Sequence, residues 1–210
     1  GNGVDGIGIG SAADDASIKG NYIGVSASGN SALGNGGNGI QVDNADDVII
    51  GGISSAERNI ISGNSSQGID IASTVASTII QGNYVGLGSD GSTDLGNTIM
   101  GISISGVDIQ VGGTASGARN VLSGNGGSGV AINSNNNTIQ GNYIGLTADG
   151  AGVVANGNAN ASSVMVAGSD NVVGGSTPAA RNIIAGGGVS NGLQITGTTL
   201  FGGGPSSGNV

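Results

Sequence analysis

The hexapeptide Gln140-Gly141-Asn142-Tyr143-Ile144-Gly145 has near copies at Gln81-Gly82-Asn83-Tyr84-Val85-Gly86 and Lys19-Gly20-Asn21-Tyr22-Ile23-Gly24. Their starts lie 62 and then 59 residues apart. A second motif falls between them: Arg58-Asn59-Ile60-Ile61-Ser62-Gly63-Asn64, Arg119-Asn120-Val121-Leu122-Ser123-Gly124-Asn125 and Arg181-Asn182-Ile183-Ile184-Ala185-Gly186. Self-similarity at such a period marks a stack of units, none of which can bury its apolar face alone.

A Gly-Ile-x-Ile motif or a relative of it opens each turn of the stack. Turns start near residues 6, 39, 68, 101, 129, 163 and 192, with gaps of 33, 29, 33, 28, 34 and 29. Apolar residues two apart point to one face of a strand, here strand A. Strand B follows at Ile18, Val48 to Ile50, Thr78 to Ile80, Ile109 to Val111, Thr138-Ile139, Asn171 to Val173 and Leu200-Phe201. Strand C follows an asparagine, at Tyr22-Ile23, Ile60-Ile61, Tyr84-Val85, Val121-Leu122, Tyr143-Ile144 and Ile183-Ile184. Three strands per turn, each too short to fold alone, imply an all-β solenoid of parallel strands with six to seven turns. The gap alternates because an insert sits at the B-to-C corner of the shorter turns (Ile53 to Arg58, Thr114 to Arg119). In the longer turns a loop such as Leu87 to Met100 follows strand C. About 61 residues make two turns.

Composition agrees. Glycine is 47 of 210 residues without a Gly-X-Y period, and proline only two, which excludes collagen. Only four residues are aromatic, too few for a conventional core but enough for a narrow stacked one. No helix is expected, because Gly and β-branched residues dominate and no 3.6-residue period is sustained. Residues 1–210 read as one β-helix segment, a window of a longer array. The chain begins at Gly1 rather than Met; Gly1-Asn2 matches Gly63-Asn64, and Pro205 to Val210 matches the insert before Arg181-Asn182.

In this register Asn21, Asn59, Asn83, Asn120, Asn142 and Asn182 share one corner on six successive turns, with Asn209 as a seventh. Turns stack about 4.8 Å apart. A carboxamide can donate to one neighbour and accept from the other, so the column satisfies itself, whereas carboxylates would repel. Asn also tolerates the left-handed backbone expected at a sharp corner.

These residues resemble the right-handed parallel β-helix repeats of bacterial secreted and cell-surface proteins, a branch of the pectate-lyase-like superfamily. The carrying motifs are Gly-Asn-Tyr-Ile/Val-Gly, the Gly-Gly-x5-Arg-Asn corner (Gly51 to Asn59, Gly112 to Asn120, Gly174 to Asn182) and Ser-Gly-Asn. The resemblance implies a right-handed coil. It spans adhesins, giant surface proteins, carbohydrate-active enzymes and phage tail spikes.

Enzymes of that superfamily work on the outer face of strand A. The outward residues here are expected to be Gly8, Gln41, Asp70, Ser103, Ala131, Met165 and Gln194, and only Asp70 ionises. Glycosidase chemistry wants two carboxyls at a set separation, and lyase chemistry wants calcium-binding acids beside a base. No catalytic residue is therefore assigned. Arg58, Arg119 and Arg181 recur every other turn and are expected to bond corner carbonyls or acids such as Glu57. Tyr22, Tyr84 and Tyr143 recur likewise, either covering the coil beside the long loop or forming a sugar-stacking stripe. No cofactor is called for. Calcium is the one metal considered, at Asp90 and Asp94 in a loop (Ala148-Asp149-Gly150 is its counterpart) and at Asp43, Asp46 and Asp47 at an A-to-B corner.

Net charge is −9 with four basic residues, which argues against nucleic acid and against an anionic membrane surface. No apolar run approaches spanning length. Charged residues are 8%, and there is no cysteine or histidine. That profile resembles bacterial secreted and surface repeat proteins, and with the regular repetition and the lack of a catalytic cluster it leads to the expectation of an extracellular or cell-surface protein of structural or adhesive kind, filamentous by end-to-end self-stacking, with surface polysaccharide as the other expected partner. The rival readings are a polysaccharide lyase or phage-type depolymerase, and a glycan-binding module.

Overall fold

The computed structural model describes residues 1–157, 161–186 and 191–196. Three parallel sheets of seven, six and six strands run along the molecule, each built from one strand per turn. The chain is thus a parallel β-solenoid of about six turns.

Sheet A stacks Ile7–Ile9, Ile40–Val42, Ile69–Ile71, Ile102–Ile104, Val130–Asn133, Val164–Ala167 and Leu193–Ile195. Its register puts Ile7, Ile40, Ile69, Ile102, Val130, Val164 and Leu193 in one column, and Ile9, Val42, Ile71, Ile104, Ile132, Val166 and Ile195 in another. Sheet B adds the column Ile18, Ile50, Ile80, Val111, Ile139, Val173. Sheet C adds Ile23, Ile61, Val85, Leu122, Ile144, Ile184. These four columns fill the interior, and their members from Ile40 to Val166 are almost wholly buried. Branched side chains suit the pleat, and each burial contributes about 1.5–3 kcal/mol. Among the described residues the core contains no aromatic ring.

Strand C lies where the sequence places it in all six turns. Strand B starts one residue later than expected in four turns, at Ile49, Ile79, Gln110 and Val172. Val48, Thr78 and Ile109 stand just before it, buried inside the A-to-B corner, so the corner consumes a residue that alternation alone assigns to the strand. The inserts hold two single 3₁₀ turns, Ser55–Glu57 and Pro178–Ala180, where no helix was expected. The segments Leu200-Phe201, Asn209 and Pro205 to Val210 lie outside the described residues.

The long loops are folded back on themselves. Antiparallel bridges join Val25 to Ala32, Leu87 to Asp94 and Leu146 to Val153. Their tips also touch across the intervening turn: the Ser89 N–H donates to Gly29 O at 3.0 Å, and the Ala148 N–H to Gly91 O at 2.9 Å. A rib of stacked loops therefore runs beside sheet C. Gly86 shows why its position needs glycine. Its φ is 96°, and a Cβ there would lie 2.0 Å from the Ser123 carbonyl of the next turn.

Candidate functional site

The asparagine column expected from sequence forms along its six described rungs. The Nδ2 of Asn21 donates to the Oδ1 of Asn59, Asn59 to Asn83, Asn83 to Asn120, Asn120 to Asn142 and Asn142 to Asn182, at 2.9–3.1 Å. Each Oδ1 also accepts the backbone N–H of the preceding rung. From Asn59 onward, Nδ2 also donates to a strand-B carbonyl of the previous turn, for example Ile80 O for Asn120 at 2.8 Å. The amide is therefore saturated. Asp could not substitute, because it lacks the donor.

One detail differs from expectation. The ladder asparagines are not left-handed; at this corner the positive φ belongs to the preceding glycine in the turns with no insert, as at Gly20, Gly82 and Gly141. Asn is there for its amide, and Gly for the backbone.

A second ladder runs along the corner before strand A: Asn2, Asn35, Asn64, Asn97, Asn125 and Asn156, with Nδ2–Oδ1 distances of 2.8–3.1 Å. Sequence reasoning missed it, although the signal was there. In five of its six turns the asparagine stands five residues before the first residue of strand A, as Asn35 does before Ile40 and Asn97 before Ile102.

The outward row of sheet A is Gly8, Gln41, Asp70, Ser103, Ala131, Met165 and Gln194, as its register requires. The row holds one carboxylate, flanked by an amide and a hydroxyl. Gln41 is tied to Asn38 and Asp43 on its own turn.

The acids weighed for calcium are engaged separately. Asp90 accepts from the Thr93 hydroxyl at 2.6 Å and from the Thr93 and Ser92 N–H groups, all at its own loop tip. Those bonds, the Thr93 hydroxyl first, hold its carboxyl below the ordinary range. Asp149 is lowered in the same way by the Thr147 hydroxyl and the Ala151 N–H. Asp94 accepts from the Gly96 N–H, Asp43 from the Gln41 amide, and Asp46 from the Ala76 N–H of the next turn at 2.7 Å. Asp47 occupies a left-handed corner position, φ 57°. Among the described residues, no three acidic groups come together to hold a metal.

The outer face of sheet C is different. Its outward row reads Tyr22, Ile60, Tyr84, Val121, Tyr143, Ile183. Arg58 lies over the Tyr84 ring at 4.2 Å and Arg119 over Tyr143 at 3.9 Å. Their Nε atoms donate to the corner carbonyls of Gly82 and Gly141, at 3.3 and 3.0 Å. The corner-carbonyl role expected for these arginines is therefore present. Glu57 is not their partner: it pairs with Lys19 at 2.9 Å, and that bond, with the Ser54 donors, brings its pKa to about 2. The tyrosine stripe is mostly roofed. Tyr84 and Tyr143 lie between an arginine and the loop glycines Gly91 and Gly150, while Tyr22 is 48% exposed. Between the corner inserts and the loop rib runs a groove of about 440 Å³, lined among others by Arg58, Tyr84, Thr114, Ser116, Arg119 and Ala148.

Compared with protein-family models, with curated proteins and with solved structures, the chain matches none.

Proposed function

We propose that this chain is a non-enzymatic structural and adhesive segment of an extracellular bacterial surface or filament protein, built on the pectate-lyase-like repeat pattern. The observation that carries this reading is the outward row of sheet A, with a single ionisable side chain in seven strands. A lyase or depolymerase needs two ionisable groups converging on one substrate bond, and Asp70 has none in the positions stacked directly above and below it. The recurrent asparagines are spent on the next turn of the coil, as expected of a part that bears length rather than turnover. Low charge and the lack of cysteine support an exposed, secreted setting. End-to-end stacking is the self-association that suits a repeat whose every rung is completed by the next.

The test is incubation with acidic and neutral polysaccharides, followed by reducing-end release and by the ultraviolet absorbance of newly formed double bonds. Neither signal should rise above a boiled control. Turnover that disappears in Asp70→Asn would overturn the proposal.

A further inference from the structure

Charge is distributed unevenly around the triangular cross-section. Seven of the thirteen acids, Asp14, Asp15, Asp43, Asp46, Asp47, Asp108 and Asp170, lie between strands A and B. All four cations, Lys19, Arg58, Arg119 and Arg181, lie between strands B and C. The three arginines recur on alternate turns, and two of them, Arg58 and Arg119, line the groove outside sheet C. One strand B separates the two corners, about 10 Å or more, a distance at which physiological salt screens much of the repulsion from the acidic edge.

Arg58 and Arg119 are held at two points, by Nε to a carbonyl and by the guanidinium plane on a tyrosine ring. Their Nη atoms make no hydrogen bond within the described residues. A guanidinium fixed in this way has already lost most of its rotamer freedom, and its free edge is the donor pair that fits a carboxylate bidentately. The groove supplies neutral donors and acceptors too, the exposed Thr114 and Ser116 of one wall and the Tyr84 hydroxyl, which bonds nothing among the described residues. The nearest acids are turned elsewhere: Glu57 to Lys19, Asp90 to Thr93 and Asp149 to Thr147.

We propose that the groove outside sheet C binds an extended acidic polysaccharide lying along the coil axis, its carboxylates taken by Arg58 and Arg119. The spacing selects the ligand. These arginines stand two turns apart, about 9.6 Å, which suits a chain carrying one carboxylate per disaccharide. Nucleic acid presents one charge every 3.4 Å or so along a strand, most of which would face no cation here. Sugar stacking on Tyr84 or Tyr143 is not the mode of recognition, because arginine already covers those rings.

This inference rests on the reading of the chain as a non-enzymatic adhesive segment. The experiment uses the full chain and hyaluronan fragments, with dextran and oligo(dT) as controls, read by calorimetry at low and physiological salt. Hyaluronan should bind, dextran and oligo(dT) should not, and Arg119→Gln should weaken binding roughly tenfold or more, the loss carried by one charge-assisted hydrogen bond. Should Arg119→Gln lower stability, Ser116→Glu serves instead. It leaves the arginine stack intact, places a like charge on the groove wall, and should weaken binding to a similar degree. No hyaluronan binding, unchanged affinity in Ser116→Glu, or equal binding of dextran or oligo(dT) would each overturn the site. Cleavage of the bound hyaluronan would leave the groove standing and overturn the non-enzymatic reading instead.

Discussion

At Asn120 the chain turns from strand B to strand C with the side chain wholly buried. At Asp108, one corner earlier in the same turn, it passes from strand A to strand B with the side chain exposed. Both corners repeat every turn, and both must satisfy backbone groups where the ladder of the sheets is interrupted. The B-to-C corner does so with carboxamides from Asn21 to Asn182. The A-to-B corner uses a column of left-handed residues, Asp15, Asp47, Ser77, Asp108, Asn136 and Asp170, with φ between 57° and 62°. Beside them Asp14 and Asp46 each accept an N–H from the following turn, and Asn135 does the same for Ser169. Only in the last turns does an amide pair, Asn137 to Asn171, enter this corner. Burial explains the difference. A dry column tolerates no charge and needs a group that both donates and accepts, whereas a wet corner can use acids as acceptors, with water attending the rest.

The largest way to break this contrast is at a middle rung. Asn120→Leu would strand the Asn83 N–H donors and leave Ile80 O without its bond. At about 1–3 kcal/mol for each buried unsatisfied group, a loss on the order of 3–6 kcal/mol is expected in urea unfolding. Asn120→Asp should be as damaging at neutral pH but should respond to acid in the opposite sense to an ordinary carboxylate. Burial raises its folded pKa above the unfolded value near 3.9. Its penalty should therefore be full at high pH and shrink as pH falls through the raised value. Unfolding midpoints of the variant that decline with acid as steeply as those of the parent would sink the dry-column account.

The wet corner should give smaller numbers. Asp108→Val forces a β-branched side chain into φ 58° and should cost about 1–3 kcal/mol, whereas Asp108→Gly should be close to neutral. Asp46→Asn keeps the Oδ1 acceptor for the Ala76 N–H and removes one charge from a crowded acidic edge. Its midpoint should stay within about 0.5 kcal/mol of the parent. Asn→Asp ruinous at one corner and Asp→Asn harmless at the next is the outcome that separates the two chemistries. Equal effects would merge them.

How far the sequence discloses this molecule follows from the same physics. The isoleucine columns and the Asn21-to-Asn182 ladder are legible because a stacked coil copies its requirements from turn to turn. The second ladder, Asn2 to Asn156, is as regular, but its asparagines sit beside glycine-rich segments that resemble ordinary turns. Asn156 also breaks the spacing, standing eight residues before Val164. The left-handed column is harder still, since Asp, Ser and Asn share a backbone geometry there and not a side chain. The Arg–Tyr stacks were out of reach. The sequence places Arg58 next to Glu57, and only the coil brings Lys19 from the previous turn to take Glu57 and Tyr84 from the next to take Arg58.

That exchange of partners supplies the smallest and sharpest test. The Glu57 carboxyl is held near a pKa of about 2 rather than 4.5, first by the Lys19 ammonium. A carboxyl lowered on folding adds stability above its unfolded pKa and loses it as pH falls through the folded one. The contribution should therefore be intact above pH 4.5 and vanish on approach to pH 2. The pair is at the surface, so the effect on unfolding will be slight, and the titration itself is the better readout. Followed by carboxyl NMR, Glu57 should titrate well below an ordinary glutamate, and Lys19→Met should move it up toward the ordinary value. If Arg58 were the real partner, Lys19→Met would leave the midpoint where it was and Arg58→Met would move it. The assignment of the arginines to tyrosine rings and corner carbonyls would then fail together with the groove they help to line.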